Sequence, residues 1–302
     1  MPRKKLWRDT ITAYLFCAPA YTVFVLFIFV PIIWALFLSF YDFSIMTFLF
    51  PDFVGLKNYE RLFTDRYFWQ ALKNTAFFSL LYVPISMFAG FIFAMMLHEK
   101  FPGRNIFRLS IFIPSVISMV VASIVWMLIL SAGTSGLANR FLGIFGLQAR
   151  GWLSESGLAM FSIVVVMVWK DFGYNMLIYL AGLQNIPAEL YQAAELDGAS
   201  GFQRIVKITV PLLKPTTFFL SVTTIIGSFQ IFTPIYIMTG GGPGYATTTL
   251  VNYLYTKGFQ EFEMGYATAL SFILFVILLV LTIVGKTIFI PQLNILAFKN
   301  DS

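Results

Sequence analysis

Charge is scarce in this chain. Asp, Glu, Lys and Arg make up 11% of its 302 residues, whereas a soluble domain carries about 25%. So few charged side chains cannot solvate the surface of a 34.2 kDa globule. A pair of soluble domains, the usual inference from this length, is therefore excluded. Cysteine is almost absent. The one copy, Cys17, rules out an intrachain disulfide framework and a thiolate metal cluster. The one histidine, His98, cannot by itself build a histidine metal site or a histidine relay. No HExxH occurs, and no Ser, His and Asp set converges in one region. Gly285-Lys286-Thr287 resembles the end of a phosphate-binding loop. That loop needs a glycine five residues before its second glycine, and position 280 is valine. The chain is expected not to be an enzyme, to hold no cofactor or metal, and to hydrolyse no ATP itself.

What is abundant is apolar. Hydrophobic residues make up 59% of the chain and mean hydropathy is +0.81, which excludes disorder and makes lipid the main solvent. A spanning helix needs about 20 largely apolar residues. Six such runs occur, at about 13–40, 75–97, 109–131, 158–181, 216–238 and 266–289. An all-α membrane protein with six spans is expected, with tails over 1–12 and 291–302 and a transmembrane domain over 13–290. Most charges fall between the runs, which a barrel of alternating ten-residue strands would not show. No internal repeat is evident. Pro19, Pro31, Pro84, Gly90, Pro114, Gly227 and Pro234 punctuate the spans, as membrane helices tolerate.

Orientation follows from the basic residues. Arg3, Lys4, Lys5 and Arg8 precede the first run, Lys100, Arg104 and Arg108 follow the second, Arg204, Lys207 and Lys214 follow the fourth, and Lys286 and Lys299 close the chain. The opposite side holds Lys57, Arg61, Arg66, Lys73, Arg140, Arg150 and Lys257, in longer loops and offset by acids. The positive-inside rule then gives an N-in, C-in topology. The basic tail resembles the start of a signal peptide, but the run to Phe40 is too long and lacks a small-residue cleavage pattern, so it is taken as a retained span. The net charge of +6 is explained by these flanking residues and needs no nucleic-acid partner.

Two ionisable residues fall inside a span, Lys170 and Asp171, and such residues are costly unless functional. Lys170 shares a helix face with Tyr174 and Asp171 with Asn175. They either line a water-filled pathway or bond another helix or subunit. In the fifth run Gln230, Thr233 and Tyr236 recur every three residues, alongside Ser221, Thr223, Thr224 and Ser228. They either meet a hydroxyl-rich substrate or bond the backbone within the bundle. No arginine lies in a span, which favours a neutral ligand over a phosphorylated one.

The long cytoplasmic connection, 182–214, is the segment with the most local signals. Pro187 suits a helix start, good helix formers run from Ala188 to Leu196, Asp197-Gly198 marks a turn, and a second short helix is expected from Ser200 to Thr209. Composition alone leaves it as a surface hairpin or as a docking element whose small residues Ala193, Ala194, Gly198 and Ala199 admit a close partner.

Its sequence, Tyr191-Gln192-Ala193-Ala194-Glu195, then Asp197-Gly198-Ala199, Ile208 and Pro211, resembles the coupling (EAA) loop of ABC importer permeases. Gly55-Leu56-Lys57-Asn58-Tyr59, Leu62-Phe63, Phe68-Trp69, Asn74-Thr75, Met238-Thr239-Gly240-Gly241-Gly242-Pro243 and Gly265-Tyr266-Ala267 are similar to segments of sugar-type permeases. The resemblance covers about residues 10 to 290 and is to maltose- and glycerol-3-phosphate-type permeases. Gln192 stands where the family usually has glutamate, so a salt bridge made there is lost.

The resemblance implies a type I ABC importer transmembrane domain in a bacterial or archaeal cytoplasmic membrane. It implies a second homologous permease, two ABC ATPase subunits that carry ATP and magnesium, an extracytoplasmic solute-binding protein and a carbohydrate substrate. The coupling helix would dock on an ATPase and transmit alternating access. The alternatives are a glycerol-3-phosphate-type importer, a stand-alone secondary transporter, and a membrane enzyme.

Overall fold

The computed structural model describes residues 3–44, 46, 51–99 and 101–289. Lys100, Lys299 and the expected tail 291–302 lie outside the described residues. The chain forms two compact units, one built on the chain up to Asp65 with Leu254–Leu274, the other on Arg66–Tyr253 with the chain from Phe275.

In the first unit, α1 (Arg3–Phe24) passes through a π-helical turn, Val25–Phe29, into α2 (Val30–Leu38). The Val30 N–H reaches back five residues to the Val25 carbonyl, just before Pro31, which has no N–H to offer. Widening by one residue lets the helix continue past the proline ring. No residue in the most apolar stretch of Thr12–Leu38 is buried. A two-stranded antiparallel ribbon follows, β1 (Tyr41–Asp42) with β2 (Asp52–Phe53), then α3 (Lys57–Thr64). Asn58 Nδ2 donates to the carbonyls of Ser39 and Tyr41 at 2.9 and 3.0 Å. Arg61 grips both carboxylate oxygens of Glu263 at 2.9 and 2.8 Å and lies 4.7 Å above the Tyr266 ring. The Tyr266 hydroxyl donates to Asp65 at 2.7 Å. The segments around Asn58 and Gly265 are therefore two parts of one cluster.

The second unit is a helical bundle. Its first members are α4 (Arg66–His98), α5 (Arg104–Val116), α6 (Met119–Ile129), α7 (Leu137–Ile144) and α8 (Ser156–Gln184). Then come α9 (Ala188–Leu196), α10 (Gly201–Arg204), α11 (Val210–Leu212), α12 (Lys214–Phe229), α13 (Thr233–Met238), α14 (Leu250–Tyr255) and α15 (Met264–Phe289), the last two shared with the first unit's sequence. Gly285-Lys286-Thr287 lies inside α15, so it forms no phosphate loop. α4 packs along α8, with α5 on α8 and α12 against both. Small residues permit this closeness. A Cβ on Gly90 of α4 would sit 2.6 Å from Asn175 Cβ, and one on Gly173 of α8 would sit 2.2 Å from the Ile111 carbonyl oxygen of α5. Phe78, Ile163, Val166 and Ile235 fill one core. Met176, Leu180, Leu213 and Leu220 fill another.

Among the described residues, five helices are long and apolar enough to span, or six if a bent pair counts as one. That pair is the expected third span. Instead of one helix over 109–131, α5 and α6 meet at a 97° bend, where Ile117 is extended. Pro114 removes a ladder donor, and Lys170 Nζ donates to the Ser115 carbonyl at 3.2 Å. Ser115 Oγ in turn donates to the Lys170 carbonyl at 2.9 Å. An ammonium at a helix C-terminus also suits the negative end of its dipole. The expected fifth span is kept as one candidate span, Lys214–Met238, with a local lapse in its helix between α12 and α13. Pro234 cannot donate to the Gln230 carbonyl, and its ring would collide with it.

Candidate functional site

α4 is the axis of the site. Cavities lie along it at its beginning, at Tyr82 in the middle and at its end. Its 33 residues span about 50 Å.

The middle cavity holds about 360 Å³ between α4, α5, α8 and α12, near the lower end of small-ligand pockets. Tyr82, Ser115, Asp171, Tyr174, Asn175 and the Thr223–Thr224 pair give it hydroxyl, carboxyl and amide groups, with Phe112 as an apolar wall. The Tyr82 hydroxyl donates to Asp171 Oδ2 at 2.7 Å, and Asn175 Nδ2 reaches Ser86 Oγ at 3.4 Å. Such a lining can both donate to and accept from a hydroxyl-rich ligand.

The residues singled out from sequence separate here. Asp171, Tyr174 and Asn175 line the cavity. Lys170 is buried and holds the bend of the third span. Gln230, Thr233 and Tyr236 do not line it. The equal spacing suggested one face, but Phe232, at φ −136° and ψ −60°, breaks the helix between the first and the other two. Tyr236 keeps Phe232 as a stacked neighbour at 5.2 Å. Sequence reasoning passed over Tyr82 and Ser115. A hydroxyl in the middle of an apolar run, and a serine beside a span proline, were the available signals.

The 182–214 loop, expected from its sequence to be a coupling loop, hangs from the end of α8. Pro187 precedes α9, and Gly198, at φ +77°, makes the turn after it. Only glycine adopts that conformation without cost. The N–H of Ala199 closes on the Ala194 carbonyl at 2.8 Å, and that of Gly198 on Glu195 at 3.0 Å. Ser200 and Gln203 then form a reciprocal capping box for α10. A π turn at Ile205–Thr209 precedes Pro211 in α11, as one precedes Pro31. Tyr191 and Thr209 bond across the two arms at 2.9 Å, and Arg204 pairs with Glu195 at 3.4 Å. Gln192, Ala193 and Asp197 are exposed, while Ala194 and Ala199 are half-buried within the turn. The exposed face also offers Leu196, 90% exposed, and Phe202, 76% exposed, which the sequence reading passed over.

The loop after α13 is pinned by the motif at the start of α4. Asn74 Nδ2 donates to the carbonyls of Tyr245 and Thr248 at 2.8 and 2.9 Å, and Thr75 Oγ1 accepts the Leu250 N–H at 2.9 Å. Thr247, Thr248 and Thr249 are buried and bond the carbonyls of Gly242, Gly241 and Ile231.

Apolar helices around a polar cavity, with a stiff helical loop at one end, have the build of a multi-pass membrane permease. Residues 83–289 match the family described as binding-protein-dependent transport system inner membrane component, and the chain belongs to that family. It is 38% identical over 288 residues to the probable ABC transporter permease protein YurN of Bacillus subtilis, across 93% of this chain and 97% of that one. It is 36% identical to the trehalose/maltose transport system permease protein MalF of Thermococcus litoralis (93% and 94% covered). It is 35% identical to the arabinooligosaccharides transport system permease protein AraP of B. subtilis (92% and 90%). A solved bacterial ABC transporter involved in import of the acidic polysaccharide alginate shares the fold, with a TM-score of 0.81 and 25% identity over 94% of this chain and 98% of that one.

Proposed function

We propose that this chain is one permease subunit of an ATP-driven importer and forms half of the pathway for a carbohydrate. It works with a second homologous permease, two ABC ATPase subunits that bind ATP and magnesium, and an extracytoplasmic binding protein that delivers the substrate. The chain crosses a bacterial or archaeal cytoplasmic membrane six times, both ends inside, with its transmembrane domain over 13–290, and it performs no catalysis itself.

The observation that carries this reading is the construction of the coupling loop. Its helix is short, its turn is fixed by Gly198, its second arm is capped, and its two arms are bonded through Tyr191 and Thr209. A stiff element transmits displacement; a floppy one absorbs it. Its exposed Leu196 and Phe202 suit burial in a partner's groove. A stand-alone transporter has no use for such a device. Neutral carbohydrate is favoured over a glycerol phosphate because no arginine or lysine is among the residues that line the middle cavity, and phosphate is recognised by such groups.

A tagged chain should co-purify with a P-loop ATPase, and the reconstituted assembly should take up sugar only with ATP and the binding protein. Ala194→Trp should leave ATP hydrolysis but abolish uptake, because an indole there would keep the short helix from the close approach to a partner that its small residues allow. Ion-driven uptake by the solitary chain in liposomes would overturn the reading.

A further inference from the structure

At the beginning of α4 lies a cavity of about 460 Å³, far from the polar cavity at Tyr82. Fifteen residues of helix separate Tyr67 from Tyr82, a distance of about 22 Å. Arg66, Tyr67, Gln70, Ser156 and Tyr245 line it, together with Pro243 and Gly244 of the pinned loop. Tyr67 and Tyr245 pack ring on ring at 4.4 Å, and the Arg66 guanidinium lies 5.1 Å from the Tyr67 ring.

Tyr245 sits in left-handed backbone, φ +66°. That region disfavours a bulky side chain and suits glycine. Its neighbours Gly240, Gly241 and Gly244 also have positive φ and are glycine. A tyrosine is nonetheless held there, because Asn74 bonds its carbonyl and Gln70 bonds Asn74 at 3.0 Å. An unfavourable conformation kept by surrounding bonds is a mark of use. Here the residue presented is a tyrosine, 45% exposed, on a loop held by those bonds.

We infer that this cavity is an outer carbohydrate subsite, which receives a sugar ring before it reaches the cavity at Tyr82. The inference rests on the importer reading and topology above. The chemistry matches a pyranose. Its C–H face would lie on the Tyr245 ring. Its hydroxyl edge would meet the Arg66 donors, the Gln70 amide oxygen and the Ser156 hydroxyl. A protein partner alone fits less well, since such contacts bury about 800 Å² per side on broad surfaces, whereas this is a concave hollow lined by both polar groups and aromatic rings.

The test uses the complete importer in liposomes, with its partner permease, ATPase and binding protein, and maltotriose, arabinotriose and lactose as probes. Tyr245→Gly should still fold, because glycine accepts φ +66° and this offsets part of the lost ring contact with Tyr67, so its melting temperature should fall by no more than a few degrees. Its uptake at sub-saturating sugar should nonetheless fall roughly three- to tenfold, the scale of one lost aromatic contact. Tyr245→Phe keeps the ring and should stay within about twofold. ATPase stimulation by sugar-free binding protein should be unchanged in both. Unaltered uptake by Tyr245→Gly overturns the proposal. So does parallel loss of ATPase stimulation, which would make the hollow a protein-docking surface. If the unmodified importer takes up none of the three sugars, the carbohydrate reading beneath the proposal fails, and that result is seen without any variant.

Discussion

Lys170 and Asp171 are neighbours in the chain with separate tasks. The lysine crosses to the third span and holds a carbonyl that the bend leaves open. The aspartate turns into the cavity, where a tyrosine hydroxyl orients it. Lys170→Met should therefore lower stability, by about 1–3 kcal/mol for a buried acceptor left unpaired. Asp171→Asn should leave the melting temperature nearly unchanged and cut uptake severalfold. Thermal melts and sugar uptake on the same two variants separate these outcomes; equal effects on both would refute the division. The sequence announces that both residues are exceptional, because charge within lipid is expensive. It does not announce the division, since Ser115 is 55 positions away and only the packing of α5 on α8 brings it near. Asn74 teaches the same lesson. Its motif was recognisable, but its bonds to Tyr245 and Thr248 join segments that local pattern cannot connect.

Helices α4, α8, α12 and α15 were legible as apolar runs, and the 182–214 loop as a helix, turn and helix, because each rests on local signals. The interruptions were less legible. Pro31, Pro84, Pro114 and Pro234 all stand in apolar stretches, yet α4 continues through Pro84, Pro31 follows a π turn, and α5 stops soon after Pro114. What decides among these outcomes is whether a neighbouring group takes up the freed carbonyl, and that is tertiary information. The glycines act at the same scale. Gly173 lies on α8 where α5 crosses it, with the Ile111 carbonyl in the place of a side chain. Gly173→Ala should force the two helices apart and cost about 1–3 kcal/mol, read as a lower melting temperature. Gly157, whose Cβ would meet nothing within 4 Å, should tolerate the same change.

At the scale of the whole molecule, the proposed topology can be tested with the chain's own poverty in cysteine. Once Cys17 is replaced by alanine, a single introduced thiol reports one position. Leu147→Cys, 57% exposed in the parent, should react with an impermeant maleimide on intact cells. A cysteine at Phe202, in the coupling loop, should react only after permeabilisation. The reverse pattern would invert the orientation and remove the outer subsite with it.

The placement of Tyr82 has a mechanical consequence. It is the middle residue of α4, sixteen residues from Arg66 and sixteen from His98, and cavities adjoin the helix at all three points. Such a rod is a balanced lever. A tilt of about 5° about its midpoint moves each end about 2 Å in opposite directions, from a half-length of about 24 Å, and leaves the fulcrum nearly still. The hollow at Tyr245 would open as the hollow beside Tyr191 narrows, while the groups around Asp171 keep their geometry. Two spin labels, one near each end of α4, would then report distances to α8 that change with opposite sign.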